Sequence, residues 1–89
     1  MWPSRPEEFV MTAADALARI KTAIDGAPRN GYVAELHLQV IKYAETLQGV
    51  SGKEFCQALG IGASFGTEFM KMRKIAGRLT DAGLDVTRI

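Results

Sequence analysis

The stretch that decides the fold is Val50-Ser51-Gly52-Lys53-Glu54-Phe55-Cys56-Gln57-Ala58-Leu59-Gly60-Ile61-Gly62-Ala63-Ser64-Phe65-Gly66-Thr67-Glu68-Phe69. Ser51 followed three residues later by Glu54 is the pattern of a capping box, in which each side chain accepts a hydrogen bond from the other residue's backbone amide. The pattern predicts a short helix over residues 52–59. Glycines at 60 and 62 predict a break after it, because glycine adopts turn geometries that other residues resist.

A longer helix is predicted directly after this glycine turn, over residues 64–82. Ser64 is placed to cap its start, and Gly83-Leu84 is typical of a Schellman end. Apolar residues recur in it at helical spacing, namely Phe65, Phe69, Met72, Ala76 and Leu79. A short helix, a turn and a second helix form the layout of a helix-turn-helix, which the sequence therefore predicts over residues 51–82.

The turn region meets most of what this motif requires. A small residue is expected four positions before the turn glycine, and Cys56 stands there; apolar residues are expected on both sides of Gly60, and Leu59 and Ile61 supply them. An apolar residue is also expected six positions after the glycine, where this chain has Gly66. The turn could therefore be shorter than usual, which leaves the register of the second helix open.

Residues of the second helix of this motif are the candidates for reading double-stranded DNA. Short polar side chains near its start can reach base edges in the major groove, and lysine or arginine further along can neutralise phosphates. A lysine at the start of the first helix of the motif could hold one more phosphate. The alternative interpretation is an ordinary solvated helix face. The candidates are Lys53, Ser64, Thr67, Glu68, Lys71, Lys74 and Arg78.

The first half of the chain predicts two further helices. Residues 12–25 carry apolar side chains at helical spacing after a capping threonine, Thr12. Residues 32–48 carry a second apolar stripe, made of Val33, Leu36, Val40, Tyr43 and Leu47. The fold class is therefore all-α, a four-helix domain with helices at about 12–25, 32–48, 52–59 and 64–82.

Residues 11–89 are expected to form one domain, preceded by a flexible arm over residues 1–10 that contains two prolines. Leu38 and Ile41 lie away from the core stripe of the helix that carries them, so that helix needs a partner on each side. A homodimer with Leu38 and Ile41 in the interface would provide one. The alternative is that the first helix covers both residues.

Composition excludes several classes of protein. The chain has 89 residues, a net charge of +1, a single cysteine and a single histidine, so we expect no zinc site, no disulfide framework and no cofactor. Neither a membrane span nor a signal peptide is expected, which favours the cytoplasm. His37 is interpreted as structural or solvated and Cys56 as a buried thiol. With no base beside a nucleophile, we expect no enzymatic activity.

Residues 50–60 and 64–76 resemble the small bacterial helix-turn-helix-like domain proteins. This resemblance implies a bacterial DNA-binding domain linked to transcription. Together with the residue patterns, it leads to the prediction of a transcriptional regulator that acts as a dimer. The alternative is a protein-interaction module, an anti-activator or adaptor, that keeps the helix-turn-helix shape without binding DNA.

Overall fold

In the computed structural model, which describes residues 11–89, the chain forms four α-helices and two short 3-10 turns, with no strand in that range. The helices are α1 Ala13–Asp25, α2 Tyr32–Lys42, α3 Gly52–Leu59 and α4 Phe65–Asp81, and the turns are Arg29–Gly31 and Val86–Arg88. The all-α, four-helix prediction is confirmed. The predicted arm, residues 1–10, lies outside the described residues.

Two of the helices begin as their capping sequences predict. At α1 the amide of Asp15 donates to the hydroxyl of Thr12 (3.1 Å), and at α3 the amide of Glu54 donates to the hydroxyl of Ser51 (3.1 Å). Both capping boxes are complete. Ser64 does not cap α4: its backbone is already helical, at φ −61° and ψ −25°, and its side chain makes no capping hydrogen bond. That prediction was wrong, because a cap residue needs an extended backbone to point its oxygen at the amides.

Glycines with positive φ end the last two helices. Gly60 has φ +67°, and the next amide, of Ile61, donates to the carbonyl of Cys56 (3.1 Å). Gly83 has φ +113°, and the amide of Leu84 donates to the carbonyl of Leu79 (3.0 Å). These six-to-one hydrogen bonds are those of the Schellman motif. The predicted end of α4 is confirmed.

Helix α2 is shorter than predicted, ending at Lys42 where the sequence pattern continues to residue 48. Residues 43–49 form consecutive turns. The apolar periodicity persists through them because Ala44 and Leu47 are still buried, three residues apart. A series of turns can bury every third residue much as a helix does, so spacing alone does not separate the two.

A single apolar core joins the four helices, with α1 packed on α2 and α3, and α4 packed on α2 and α3. Two residues predicted for the core are instead exposed: Val33 by 49% and Leu79 by 39%. Both lie near an end of their helix, where no neighbouring helix covers them. The buried residues that form this core are Ala16, Ile20, Ile24, Leu36, Val40, Leu47, Val50, Phe55, Cys56, Leu59 and Phe69, and Ala44 and Ala76 are buried as well.

Candidate nucleic-acid interface

The starts of α3 and α4 meet where each helix carries a glycine. A Cβ added to Gly52 would lie 3.0 Å from the carbonyl oxygen of Gly66 and 3.1 Å from its Cα. The two backbones are therefore in direct contact. The motif expects an apolar side chain at position 66. Gly66 contacts a backbone there instead, and the neighbouring Phe65 packs against the core.

A second contact between α3 and α4, about one turn further along each helix, is an aromatic stack. The rings of Phe55 on α3 and Phe69 on α4 are stacked, with centroids 4.2 Å apart and an angle of 14° between their planes. Both side chains are fully buried. Phe65 makes an edge contact with Tyr32 of α2, at 6.3 Å between ring centroids. Helix α4 is thus held on one side by α3 and at its start by α2.

The face of α4 opposite this core is polar and exposed. Thr67, Lys71, Lys74 and Arg78 are all exposed and succeed one another by three or four residues, so they form one stripe along the helix. Counted at 100° per residue, the stripe lies roughly opposite Phe69 and Ala76, the two buried residues of α4. We call these four residues the polar stripe.

Two other candidates lie close to the start of the polar stripe. Ser64 is exposed one turn before Thr67. Lys53 is exposed in the first turn of α3 and lines, together with Thr67, an open groove of about 660 Å³ between α3 and α4. The groove is otherwise lined by small, apolar or amide residues and by no acidic residue.

Glu68 does not share the orientation of the other candidates. Its carboxylate lies 3.4 Å from Nε2 of His37 on α2 and 3.6 Å from Nζ of Lys71. Nε2 of His37 is buried and has no hydrogen-bond partner, although the carboxylate is within ion-pair distance. Glu68 therefore lies between α2 and the polar stripe, and its carboxylate offsets part of the positive charge of Lys71.

The sequence did not indicate the role of Arg73, which is one of four basic residues in α4. Its Nη1 atom donates to the carbonyls of Leu47 and Val50, at 2.7 Å each, and its guanidinium lies 4.8 Å from the ring centre of Phe69. It ties α4 to the turns that follow α2. A lone arginine that bonds distant carbonyls leaves no pattern in the sequence.

Cys56 lies in the wall of the groove and is 3% exposed. Burial raises the pKa of its thiol above the ordinary value. The thiol lies 3.9 Å from the carbonyl of Ala63, a weak contact at most. These features agree with the predicted buried thiol.

The two predicted interface residues differ in exposure. Leu38 is 44% exposed, so α1 does not cover it, whereas Ile41 is partly buried beside Val86 and the end of α4. Three large apolar residues of α4, Met70, Ile75 and Leu79, are also exposed. Within residues 11–89 no group of three metal-ligating side chains occurs, and no helix there is long and apolar enough to cross a membrane.

Comparison with known protein families finds a match. A family model described as an HTH-like domain, that is, helix-turn-helix-like, matches residues 12–82, which span α1 to α4. Comparisons with curated proteins and with solved structures find no significant match. The family match reaches well beyond α3 and α4 and includes α1 and α2.

Proposed function

The chain belongs to the HTH-like domain family, and on this premise we propose that it is a DNA-binding helix-turn-helix protein: a bacterial transcriptional regulator, without enzymatic activity, that acts as a dimer in the cytoplasm. The observation that carries the proposal is the polar stripe on α4. Three of the four residues in the polar stripe are basic, and all four are exposed. Glu68, the acidic residue in the first turn of α4, contacts His37 of α2.

In this function the start of α4 enters the major groove. Ser64 directly precedes α4 and Thr67 lies in its first turn, where short hydroxyl side chains can contact base edges. Lys71, Lys74 and Arg78 follow along the helix and contact phosphates, and Lys53 contacts one more from α3. The phosphate contacts set orientation and affinity, and the two hydroxyls supply sequence preference.

Glu68 acts on DNA binding indirectly. A free carboxylate in the first turn of α4 would repel phosphates, because both are negative. Contacts with His37 of α2 and with Lys71 of the polar stripe hold that carboxylate and place a positive charge beside it. We therefore assign Glu68 to positioning and to charge compensation, with no base contact of its own.

The test is an anisotropy titration of the full chain against random-sequence duplex DNA at roughly 50 and 200 mM salt, the range over which phosphate contacts lose most affinity. The variant Lys71→Gln/Lys74→Gln/Arg78→Gln should bind much more weakly. Its slope of log K against log salt should fall by roughly 2 to 3, since each phosphate contact contributes about 0.9.

The matched control removes three exposed basic residues from the first half of the chain, in Arg19→Gln/Lys21→Gln/Arg29→Gln. Both triple variants have the same net charge, so only the location of the charge differs. Equal losses in the two variants, or no binding by the natural chain at the lower salt concentration, would overturn the proposal.

A second candidate is the protein-interaction module, an anti-activator or adaptor that binds no DNA. The exposed side chain of Leu38 and the net charge of +1 favour it. The same titration separates the two functions, because this module would bind neither random nor selected DNA at any salt concentration.

A further inference from the structure

The carboxylate of Glu68 lies between a histidine of α2 and a lysine of the polar stripe. One of its oxygens, Oε1, is 3.4 Å from Nε2 of His37, and the other, Oε2, is 3.6 Å from Nζ of Lys71. Both distances are within ion-pair range but longer than a typical N–H···O hydrogen bond. The carboxylate is therefore shared between two partners and bonded tightly to neither.

The two partners of Glu68 differ in their contact with water. The side chain of His37 is 28% exposed and its Nε2 atom is buried, whereas the side chain of Lys71 is 62% exposed. Water screens an exposed ion pair more strongly than a partly buried one. A positively charged His37 would therefore attract the carboxylate more strongly than Lys71 does.

The charge of the histidine ring decides whether it can hold the carboxylate. In a neutral ring one nitrogen carries a proton and the other only accepts hydrogen bonds, as a carboxylate does. In a protonated ring both nitrogens are donors, so Nε2 always presents a proton to Glu68. Histidine is the side chain that ordinarily changes charge between about pH 5 and 8. His37 is the single histidine of the chain.

The other charged groups on the elements packed against α2 are separate from this cluster. Glu68 is the acidic side chain found within ion-pair distance of His37 among residues 11–89. The remaining acidic and basic side chains of α1 and α2 that make contacts use other partners: Asp15 caps α1, Asp25 pairs with Lys21, Glu35 bonds to Gln39, and Lys42 donates to the carbonyl of Ile89. Arg19 lies on α1, and Arg29 and Arg88 lie in the turns beside the ends of α2.

We propose that His37 is a proton-controlled positioning residue: when protonated, it draws the Glu68 carboxylate away from Lys71 and frees that lysine for a phosphate of DNA. With a neutral ring, the formal charges of the three side chains sum to zero. With a protonated ring they sum to +1, beside the start of α4. The exchange of partners follows from the contacts alone, and its effect on DNA rests on the proposed function.

The direction and the limit of the effect follow from linkage. Phosphates near Lys71 favour the protonated ring, so DNA binding takes up a proton and becomes tighter as the pH falls. Uptake of a single proton can change the affinity by no more than about tenfold per pH unit. A partly exposed ion pair has a smaller effect than this limit, and we expect DNA binding about two- to fivefold tighter at pH 5.5 than at pH 7.5.

The first experiment follows the exchange of partners without DNA. Nuclear magnetic resonance of the full chain is recorded from about pH 8 to 5, the range in which histidine ordinarily titrates. The imidazole signal is assigned directly, since the chain has one histidine. The signals of Glu68 and Lys71 should shift with the same midpoint as the ring. In Glu68→Gln the Lys71 signal should no longer follow the ring.

The second experiment measures anisotropy titrations against random-sequence duplex DNA at pH 5.5 and 7.5, at a constant salt concentration of about 100 mM. The natural chain should show the two- to fivefold difference stated above, and His37→Gln should lose it. Glu68→Gln should bind about two- to fivefold tighter than the natural chain at pH 7.5, because Lys71 is then free at any pH, and should gain little more at pH 5.5.

The matched control is Asp81→Asn. It removes the same charge from the same helix, but Asp81 is the exposed last residue of α4, thirteen residues beyond Glu68. This variant should keep the pH difference of the natural chain. Glu68→Gln changes an exposed side chain and keeps its shape, so the test stands even if His37→Gln does not fold.

The outcomes separate this inference from the proposed function. Signals of Glu68 and Lys71 that follow the ring, in a chain that binds no DNA, support the exchange of partners and overturn the DNA-binding function. DNA binding that is equal at the two pH values, or equally pH-dependent in Glu68→Gln and the natural chain, supports the function and overturns the role of His37. A Lys71 signal that ignores the ring overturns that role as well.

Discussion

Helices α3 and α4 are neighbours in the chain and in the fold, yet they are held by different kinds of contact. Helix α3 has a capping box at its start and a Schellman glycine at its end, all within residues 51–61. Helix α4 has the same kind of Schellman end, at Gly83, but no side-chain cap at its start, and it is held by contacts with distant parts of the chain: Gly52, His37, and the carbonyls of Leu47 and Val50.

This difference matters for function. Both ends of α3 are set by residues within or next to that helix. The helix that we propose to read DNA takes its position from long-range contacts, so its placement depends on the whole fold. Substitutions in these two helices separate local from long-range contributions to the stability of the fold.

The largest effect is expected where the two helices share a contact. Phe55→Ala and Phe69→Ala each remove one ring of the buried stack and leave a cavity, which should lower the free energy of unfolding by about 3 to 5 kcal/mol. Urea denaturation measures this loss, with Ile75→Ala as the exposed control. If alanine abolishes folding, Phe55→Leu should show a smaller loss in the same direction; a loss under about 1 kcal/mol for either alanine variant would contradict the prediction.

Arg73→Lys should break the long-range attachment of α4 and leave α3 intact. Lysine cannot reproduce the geometry with which one guanidinium nitrogen reaches two carbonyls, so both would lose a charged donor. The expected loss is about 1.5 to 3 kcal/mol in the free energy of unfolding. Arg78→Lys, in the exposed stripe of the same helix, should change it by less than about 0.5 kcal/mol. Equal effects of the two substitutions would show that Arg73 does not anchor the helix.

Gly52→Ala should push the starts of the two helices apart. The new methyl group would lie 3.0 Å from a backbone oxygen of Gly66, which cannot rotate away as a side chain could. Overpacking of this kind costs about 1 to 3 kcal/mol. Gly77→Ala meets nothing within 4 Å and should instead stabilise α4 by roughly 0.5 to 1 kcal/mol. Thermal unfolding of the two variants should therefore shift in opposite directions, and a shift in the same direction would contradict the close contact.

The two serines test the local contribution directly. Ser51→Ala removes the acceptor for the amide of Glu54 and should cost about 1 kcal/mol, as the loss of a helix cap typically does. Ser64→Ala removes no capping bond, so its effect should stay within about 0.5 kcal/mol. Chemical denaturation resolves the difference. A cost for Ser64→Ala that matches Ser51→Ala would mean that α4 is capped locally after all.

The smallest effect is a pH dependence from the same capping box. Hydrogen bonds from Ser51 hold the pKa of the Glu54 carboxyl below its ordinary value. Because the folded pKa is lowered, the stabilisation is present above the ordinary pKa of glutamate and is lost as pH falls through the folded pKa. Glu54→Gln should therefore lower the melting temperature slightly at pH 7, and the difference should shrink as the pH falls below the ordinary pKa of glutamate. A constant difference across this range would exclude the ionised carboxylate as the cause.

Much of the fold followed from the sequence, and less of the candidate site did. Thr12, Ser51, Gly60 and Gly83 marked helix ends correctly because each acts on residues within one turn. The polar stripe was also predictable, since its spacing is set by the geometry of a single helix. Glu68 and Arg73 were not, because their roles depend on His37 and on two carbonyls more than 20 residues away.

What the sequence alone determined, then, is that residues 11–89 form four helices, the last two joined by a glycine turn, because helix caps, glycine turns and apolar periodicity are properties of short segments. Only the tertiary structure decided that α2 ends at Lys42, that Glu68 contacts His37 of α2, and that Ile75 and Leu79 stay exposed. Whether an apolar or charged side chain is covered depends on which helix lies beside it, and the residues of one helix do not record that.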